Sequence, residues 1–282
     1  MDDTKKKIHI SDIVLFIVFL LLLAFPAYLA YQVLVENNPP SNDVQQEDTS
    51  TQTQETTPPL EEEVVVPTGP KYTELVREIS GQTAYVAVPT NIDENNPPAI
   101  ILYSHGSNTR VISDMYDPFM IDLQGYGKYF GEQNFVFAAS NEHDENWGNA
   151  ASIADMLNLQ QWIESRYTTN GKVYLIGFSM GGLPTMHFAA KYPDNILKIA
   201  LLAPTTRTYE WTQTEVNKIM DIDIQIWHGT SDVNIGYSNS ANFVKYMKNL
   251  GKDIPLVTLE GKTHFDLDTE YMDQILEYFQ AN

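Results

Sequence analysis

The stretch Gly177-Phe178-Ser179-Met180-Gly181 is the part of this 282-residue chain best suited to covalent chemistry. It fits G-x-S-x-G, with four β-favouring apolar residues ahead of it, Val173 to Ile176, and a helix-compatible run behind it, Leu183 to Lys191. A strand, a tight turn and a helix in that order push the Ser179 hydroxyl out above a sheet edge in strained backbone. Glycines two before and two after leave room for strand and helix to meet. The peptide N–H of Met180 then lies at a helix N-terminus, where free N–H groups and the helix dipole favour a developing oxyanion. A serine hydroxyl attacks well only when an imidazole takes its proton during the attack, and that imidazole needs a carboxylate to fix its tautomer.

The elements that must position such groups alternate between strand and helix patterns, which implies a mostly parallel sheet with helices on both faces. Val76–Ile79 and Thr83–Val88 read as an opening antiparallel pair across Ser80-Gly81-Gln82. Further strands are expected at Ala99–Tyr103, Phe135–Ala139, Val173–Ile176, Ile199–Leu202, Ile224–Trp227 and Leu256–Leu259. Helices are expected at Pro118–Glu132, Ser152–Tyr167, Leu183–Lys191, Tyr237–Leu250 and Glu270–Phe279.

Open sheets of this kind carry their chemistry just beyond the strand ends. Three further stretches lie there: Ser104-His105-Gly106-Ser107-Asn108, His228-Gly229-Thr230-Ser231-Asp232 and Glu260-Gly261-Lys262-Thr263-His264. His264 is the candidate base, because it follows the last strand in a glycine-containing turn. His105 and His228 each precede a glycine directly after a strand and read as turn-forming structural residues. His187 sits two turns into a helix and points elsewhere. Asp232 is the expected orienting acid. Asp266 is the alternative, only two residues from His264 and awkwardly placed to wrap back onto it.

With these stretches in this order, residues 72–282 resemble the α/β-hydrolase family, whose members carry nucleophile, acid and base in the order of Ser179, Asp232 and His264. The resemblance implies an α/β-hydrolase fold, a doubly wound sheet with a short cap insertion, and a serine hydrolase acting on a small-molecule ester or other acyl substrate. It assigns the second oxyanion donor, beside the Met180 N–H, to the Ser107 N–H, with Asn108 as a helper or a simple turn residue. Trp147 and Trp211 are expected to border the substrate. About twenty residues between the strands ending at Leu202 and beginning at Ile224 stand where many family members place a lid, which implies a comparatively open site. A peptidase or acyltransferase would use the same three residues, and a non-catalytic binding module would have no need of them. The polar loop Asn141–Asn149 places His143 beside Asp144 and Glu142, but adjacent positions suit a solvated, helix-capping loop better than a metal site. Neither a metal nor a cofactor is expected.

Composition bounds the rest. There are no cysteines, which excludes disulfides, thiol chemistry and cysteine-based zinc sites. The net charge of −20 argues against a nucleic-acid partner. Residues 1–12 contain Lys5-Lys6-Lys7 and precede an uncharged stretch from Ile13 to Tyr31 that Val33-Leu34-Val35 extend. At about 1.5 Å per residue this nearly matches a hydrocarbon core of about 30 Å. The basic cluster ahead of it puts residue 1 in the cytoplasm, so 13–35 are expected to be an uncleaved membrane anchor with the later domain outside, the alternative being a cleaved signal peptide with a poor small-x-small site. Residues 36–70 turn to Asn, Pro, Gln, Thr, Ser and Glu, lack aromatics, and read as a disordered acidic stalk ahead of a catalytic domain at 71–282.

Overall fold

The computed structural model describes residues 71–281 with the exception of residue 268. The expectations for residues 1–12, 13–35 and 36–70 fall outside the described residues. Among the described residues, no helix is long and apolar enough to cross a membrane.

Among the described residues, eight strands form one sheet: β1 (Tyr72–Ile79), β2 (Gln82–Pro89), β3 (Ala99–Ser104), β4 (Phe135–Ser140), β5 (Val173–Phe178), β6 (Ile196–Leu202), β7 (Asp223–Gly229) and β8 (Leu256–Leu259). Their spatial order is β1-β2-β4-β3-β5-β6-β7-β8, with β1–β2 and β2–β4 antiparallel and every later pairing parallel. The chain starts outward from β3 and then winds back through β5 to β8, so β5 sits centrally. Among the described residues six helices accompany the sheet: α1 (Pro118–Glu132), α2 (Ala150–Glu164), α3 (Gly182–Lys191), α4 (Gln213–Lys218), α5 (Ser238–Asn249) and α6 (Met272–Gln280).

The central strands are buried on both faces, which is why they read as continuous apolar runs. Strand alternation then divides the core in two. Ile100, Leu102, Leu175, Ile199 and Leu201 pack beneath Met156, Leu159, Phe188, Val216 and Phe243, residues of α2 to α5. Ile101, Tyr103, Ile176, Ala200 and Leu202 pack on the other face against Leu123, Tyr126 and Phe130 of α1 and Ile275 and Phe279 of α6. The expected doubly wound α/β architecture is therefore observed.

Most differences from the sequence reading are at element ends. The first hairpin is tighter than expected, because Ser80 and Gly81 both adopt positive φ and turn the chain in two residues. Helix α2 starts two residues early because the Asn149 side chain accepts from the N–H groups of Ala151 and Ser152. The insertion between β6 and β7 holds only a 3-10 turn, Thr208–Glu210, and the short α4.

Candidate active site

Ser179 directly follows β5 with φ = 53°, a left-handed conformation that costs a non-glycine residue about 1–2 kcal/mol. The surroundings hold it there. A Cβ at Gly181 would sit 2.0 Å from the carbonyl oxygen of Ser104, and one at Gly177 would sit 2.8 Å from the carbonyl oxygen of Gly181. Both contacts are with backbone, so neither position has room for a side chain. Thr205 N–H donates to the Ser179 carbonyl at 2.8 Å and ties the turn to the loop after β6.

Ser179, His264 and Asp232 come together although they leave three different strands. His264 Nδ1 donates to Asp232 Oδ2 at 2.7 Å, because a carboxylate can only accept. That tautomer presents the Nε2 lone pair to Ser179, whose hydroxyl donates across 2.9 Å. The other carboxylate oxygen of Asp232 accepts the N–H groups of Asn234 at 2.9 Å and Ile235 at 2.8 Å, which fixes the carboxylate plane. All three side chains are buried, and the ring of Phe178 lies 5.0 Å from the imidazole of His264. Asp266 is placed elsewhere. Its carboxylate accepts Thr263 N–H and Oγ–H, and those bonds hold its pKa below the usual carboxylate range.

The loop after β3 lies against the serine. A Cβ at Gly106 would stand 3.5 Å from Ser179 Cβ and 3.3 Å from the Phe178 ring, so Gly106 is in close contact with the strand end. Ser107, Asn108, Thr109, Trp147, Thr205, Asn234, Ile235 and Phe265 join Gly106, Phe178, Ser179 and His264 around a cavity of about 210 Å³. Met180 is the middle residue of the 3-10 turn Ser179–Gly181, whose leading backbone N–H groups have no partner within the turn. Ser107 lies at the cavity wall, and Met180 follows Ser179 directly in the chain.

Trp147 lines the cavity at 39% exposure, with Nε1 donating to Glu145 and the Arg207 guanidinium 5.9 Å from its ring. Trp211 does not reach it. The short insertion folds back onto the core, and the Trp211 indole is buried against Phe243 and His187, beside a separate cavity. Phe265, Thr205, Asn234 and Ile235 border the serine without any sequence feature that singled them out.

The loop after β4 is less solvated than its composition suggests. Glu142 is buried, accepts the Ser104 hydroxyl at 2.8 Å, and loss of solvent pushes its pKa up to about 8. Glu142, His143 and Asp144 all carry positive φ, and His143 donates to Asp155 at 2.6 Å. Among the described residues no cluster of His, Cys, Asp or Glu could hold a metal ion. His105 is buried with both ring nitrogens facing backbone carbonyls, and burial lowers its pKa. His187 bridges the Gly148 carbonyl and the Glu210 carboxylate, away from Ser179.

Residues 105–223 match the family model for the alpha/beta hydrolase fold. The chain has the α/β-hydrolase fold. Solved structures agree. A Bacteroides ovatus chain provisionally named dipeptidyl aminopeptidase IV aligns with a TM-score of 0.61 at 12% identity, over 76% of this chain but only 36% of its own length. Est1E from Butyrivibrio proteoclasticus gives 0.51 at 18% identity, over 73% of this chain and 95% of its own. The S-formylglutathione hydrolase of Staphylococcus aureus gives 0.58 at 16% identity, over 76% and 98%. No curated protein matches the sequence.

Proposed function

We propose that this α/β-hydrolase is a serine hydrolase that cleaves carboxylic esters through an acyl-serine intermediate. The observation that carries the reading is the continuous hydrogen-bonded chain from Ser179 Oγ through His264 to Asp232. Ser179 Oγ bonds to the acyl carbon as its proton passes to His264 Nε2, and the carbonyl oxygen gains charge beside the N–H groups of Met180 and Ser107. Collapse breaks the bond to the alcohol oxygen, which leaves with the proton from His264. Water then repeats the sequence to release the acid. Asp232 keeps the imidazole oriented and stabilises its cationic form.

Ester chemistry is favoured over exopeptidase chemistry by the cavity wall. Among the described residues lining it, none is Asp, Glu, Lys or Arg, so it offers no counter-charge to a peptide terminus. Its volume of about 210 Å³ suits a small acyl group, with Trp147 and Phe265 as apolar walls. The loops carrying these two rings leave β4 and β8, which lie on opposite sides of β5 in the sheet.

A fluorophosphonate probe and a panel of p-nitrophenyl esters of graded chain length, with aminoacyl amides alongside, test the reading. Labelling that disappears in Ser179→Ala, with short-chain esters turned over fastest, is expected. Failure to label, or faster turnover of the amides, would overturn it. The composition of residues 13–35 and 36–70 further supports an anchored enzyme held outside the membrane on an acidic stalk. Protease added to intact cells is expected to release the catalytic part by cutting between residues 36 and 70, and full protection would refute that orientation.

A further inference from the structure

Asp232 Oδ2 faces two imidazoles. His264 Nδ1 is 2.7 Å away and His228 Nε2 is 3.3 Å away, with the side chains of His228 and Asp232 fully buried. We infer that His228 is a positioning residue for the reaction, an auxiliary hydrogen-bond donor that sets both the place and the charge of the Asp232 carboxylate. The inference rests on the acyl-serine reading above and adds a fourth member to it.

The tautomer follows from the neighbours. His228 Nε2 lies 2.7 Å from the Ile235 carbonyl as well as 3.3 Å from the carboxylate, and neither oxygen can donate, so the hydrogen is on Nε2. Nδ1 then accepts the hydroxyl of Ser240 at 2.7 Å, a residue fixed in α5. Burial disfavours the cationic form of His228 and lowers its pKa, which leaves a neutral ring with one directed N–H. Ile235 is part of the same clamp, since its N–H donates to Asp232 Oδ1 while its carbonyl accepts from His228. The segment 232–235 is thus held at both ends by a ring that itself hangs from Ser240.

Few other charged groups face this pair. The edge of Tyr237 approaches His228 at 5.9 Å, and its hydroxyl is engaged with Thr258. Around His264 stand Ser179, Phe178 and Phe265, while Asp266 is directed to Thr263 and Lys262 to Glu270. A donor on Asp232 Oδ2 draws charge away from the oxygen that His264 uses. Removing it leaves that oxygen more negative and favours protonated His264. The base then becomes available only at higher pH. A histidine that merely filled the turn would alter stability without moving that limb.

The test is the pH profile of kcat/KM for ester hydrolysis by the full chain, in His228→Ala, His228→Gln and Ser240→Ala. The bond is long and shared with the Ile235 carbonyl, so His228→Ala should shift the acid limb up by about half a pH unit. Its kcat should fall severalfold with KM little changed. His228→Gln, which can restore a donor at the Nε2 position, should return the limb toward the wild-type position. Ser240→Ala, which releases the tautomer from two bonds away, should give a smaller upward shift and carries the test if the alanine at 228 does not fold. A limb that stays at the wild-type pH in both His228→Ala and Ser240→Ala would overturn the inference, whatever happens to melting temperature. Labelling of wild-type Ser179 by fluorophosphonate separates the two failures. Without labelling the acyl-serine reading falls and takes this inference with it, whereas labelling with an unmoved limb removes the role of His228 alone.

Discussion

The carbonyl oxygen of Lys262 lies where a side chain at Gly229 would begin, 2.1 Å from the position of its Cβ. This contact is what brings acid and base together. Gly229 ends β7 ahead of Asp232, and Lys262 precedes His264 by two residues after β8. Ser231 N–H donates to the same Lys262 carbonyl at 3.0 Å, and Thr230 Oγ accepts Gly261 N–H at 2.9 Å, so the two loops are laced together. Gly229→Ala must push them apart, since the clash is with backbone. Misplacement by about 1 Å can cost about 10²-fold in rate. We expect kcat to fall by about that factor while Ser179 remains present and the sheet stays folded, as read by steady-state kinetics and circular dichroism.

The choice between the two candidate acids gives a second outcome. Asp232→Asn should keep the fold and lose about 10³–10⁴-fold in kcat, because an amide can hold His264 in the wrong tautomer. Asp266→Asn should cost little activity, since that carboxylate only closes its own turn onto Thr263. Ser179→Ala and His264→Ala should each abolish most of the rate, and the double variant should be little worse than either, because the two share one proton transfer. Additive losses would contradict the scheme, and an essential Asp266 would transfer the acid role.

The parts legible in the sequence were those whose physics is local. Buried parallel strands need unbroken apolar runs, and Val173–Phe178 or Ala99–Ser104 cannot easily be anything else. The Ser179 turn is legible for a related reason, because Gly177 is imposed by Gly181 and Thr185 a few residues on, although Gly181 itself is imposed by the distant Ser104 carbonyl. Trp211 was not, since an indole serves a core as well as a pocket, and only the tertiary fold decided that it packs on Phe243. Glu142 has polar neighbours that suggest a solvated loop, yet it is turned inward with positive φ onto Ser104, 38 residues earlier. Phe265 and Asn234 border the serine by virtue of loop paths that no spacing in the sequence encodes.

Glu142 yields a pH dependence whose sign can be worked out. Its carboxyl is pushed up to about 8 by burial, against 4.5 for the solvated group, so the folded protein binds a proton that the unfolded chain releases. Its contribution to stability is whole below pH 4.5 and is lost progressively as pH rises through about 8. Glu142→Gln is neutral throughout and can still accept from Ser104. The variant should therefore match wild type near pH 4 and exceed it increasingly up to pH 8, by an amount on the order of a few kcal/mol. Urea unfolding at several pH values measures the difference. A constant offset between the two proteins would mean that Glu142 is ionised in the folded state.

The Trp147 wall can be moved without touching the ring itself. Gly148 adopts φ = 73°, and a Cβ there would lie 3.0 Å from the Leu183 backbone carbon, 2.9 Å from Leu183 Cβ and 2.7 Å from His187 Nδ1. The Gly148 carbonyl also accepts from His187, whose other nitrogen engages Glu210, the partner of Arg207. Arg207 in turn lies over the Trp147 ring. Gly148→Ala thus combines backbone strain with a clash and should cost about 1–2 kcal/mol of stability. If Trp147 binds the substrate equally in ground and transition states, Trp147→Ala should raise KM severalfold with kcat nearly unchanged. Gly148→Ala should reproduce that rise in KM through the displaced ring, whereas Arg207→Ala, which removes the half-buried cation over the ring and its ion pair with Glu210, should have a smaller effect. A fall in kcat without a change in KM for Trp147→Ala would instead place the indole beside the charge that develops at Ser179.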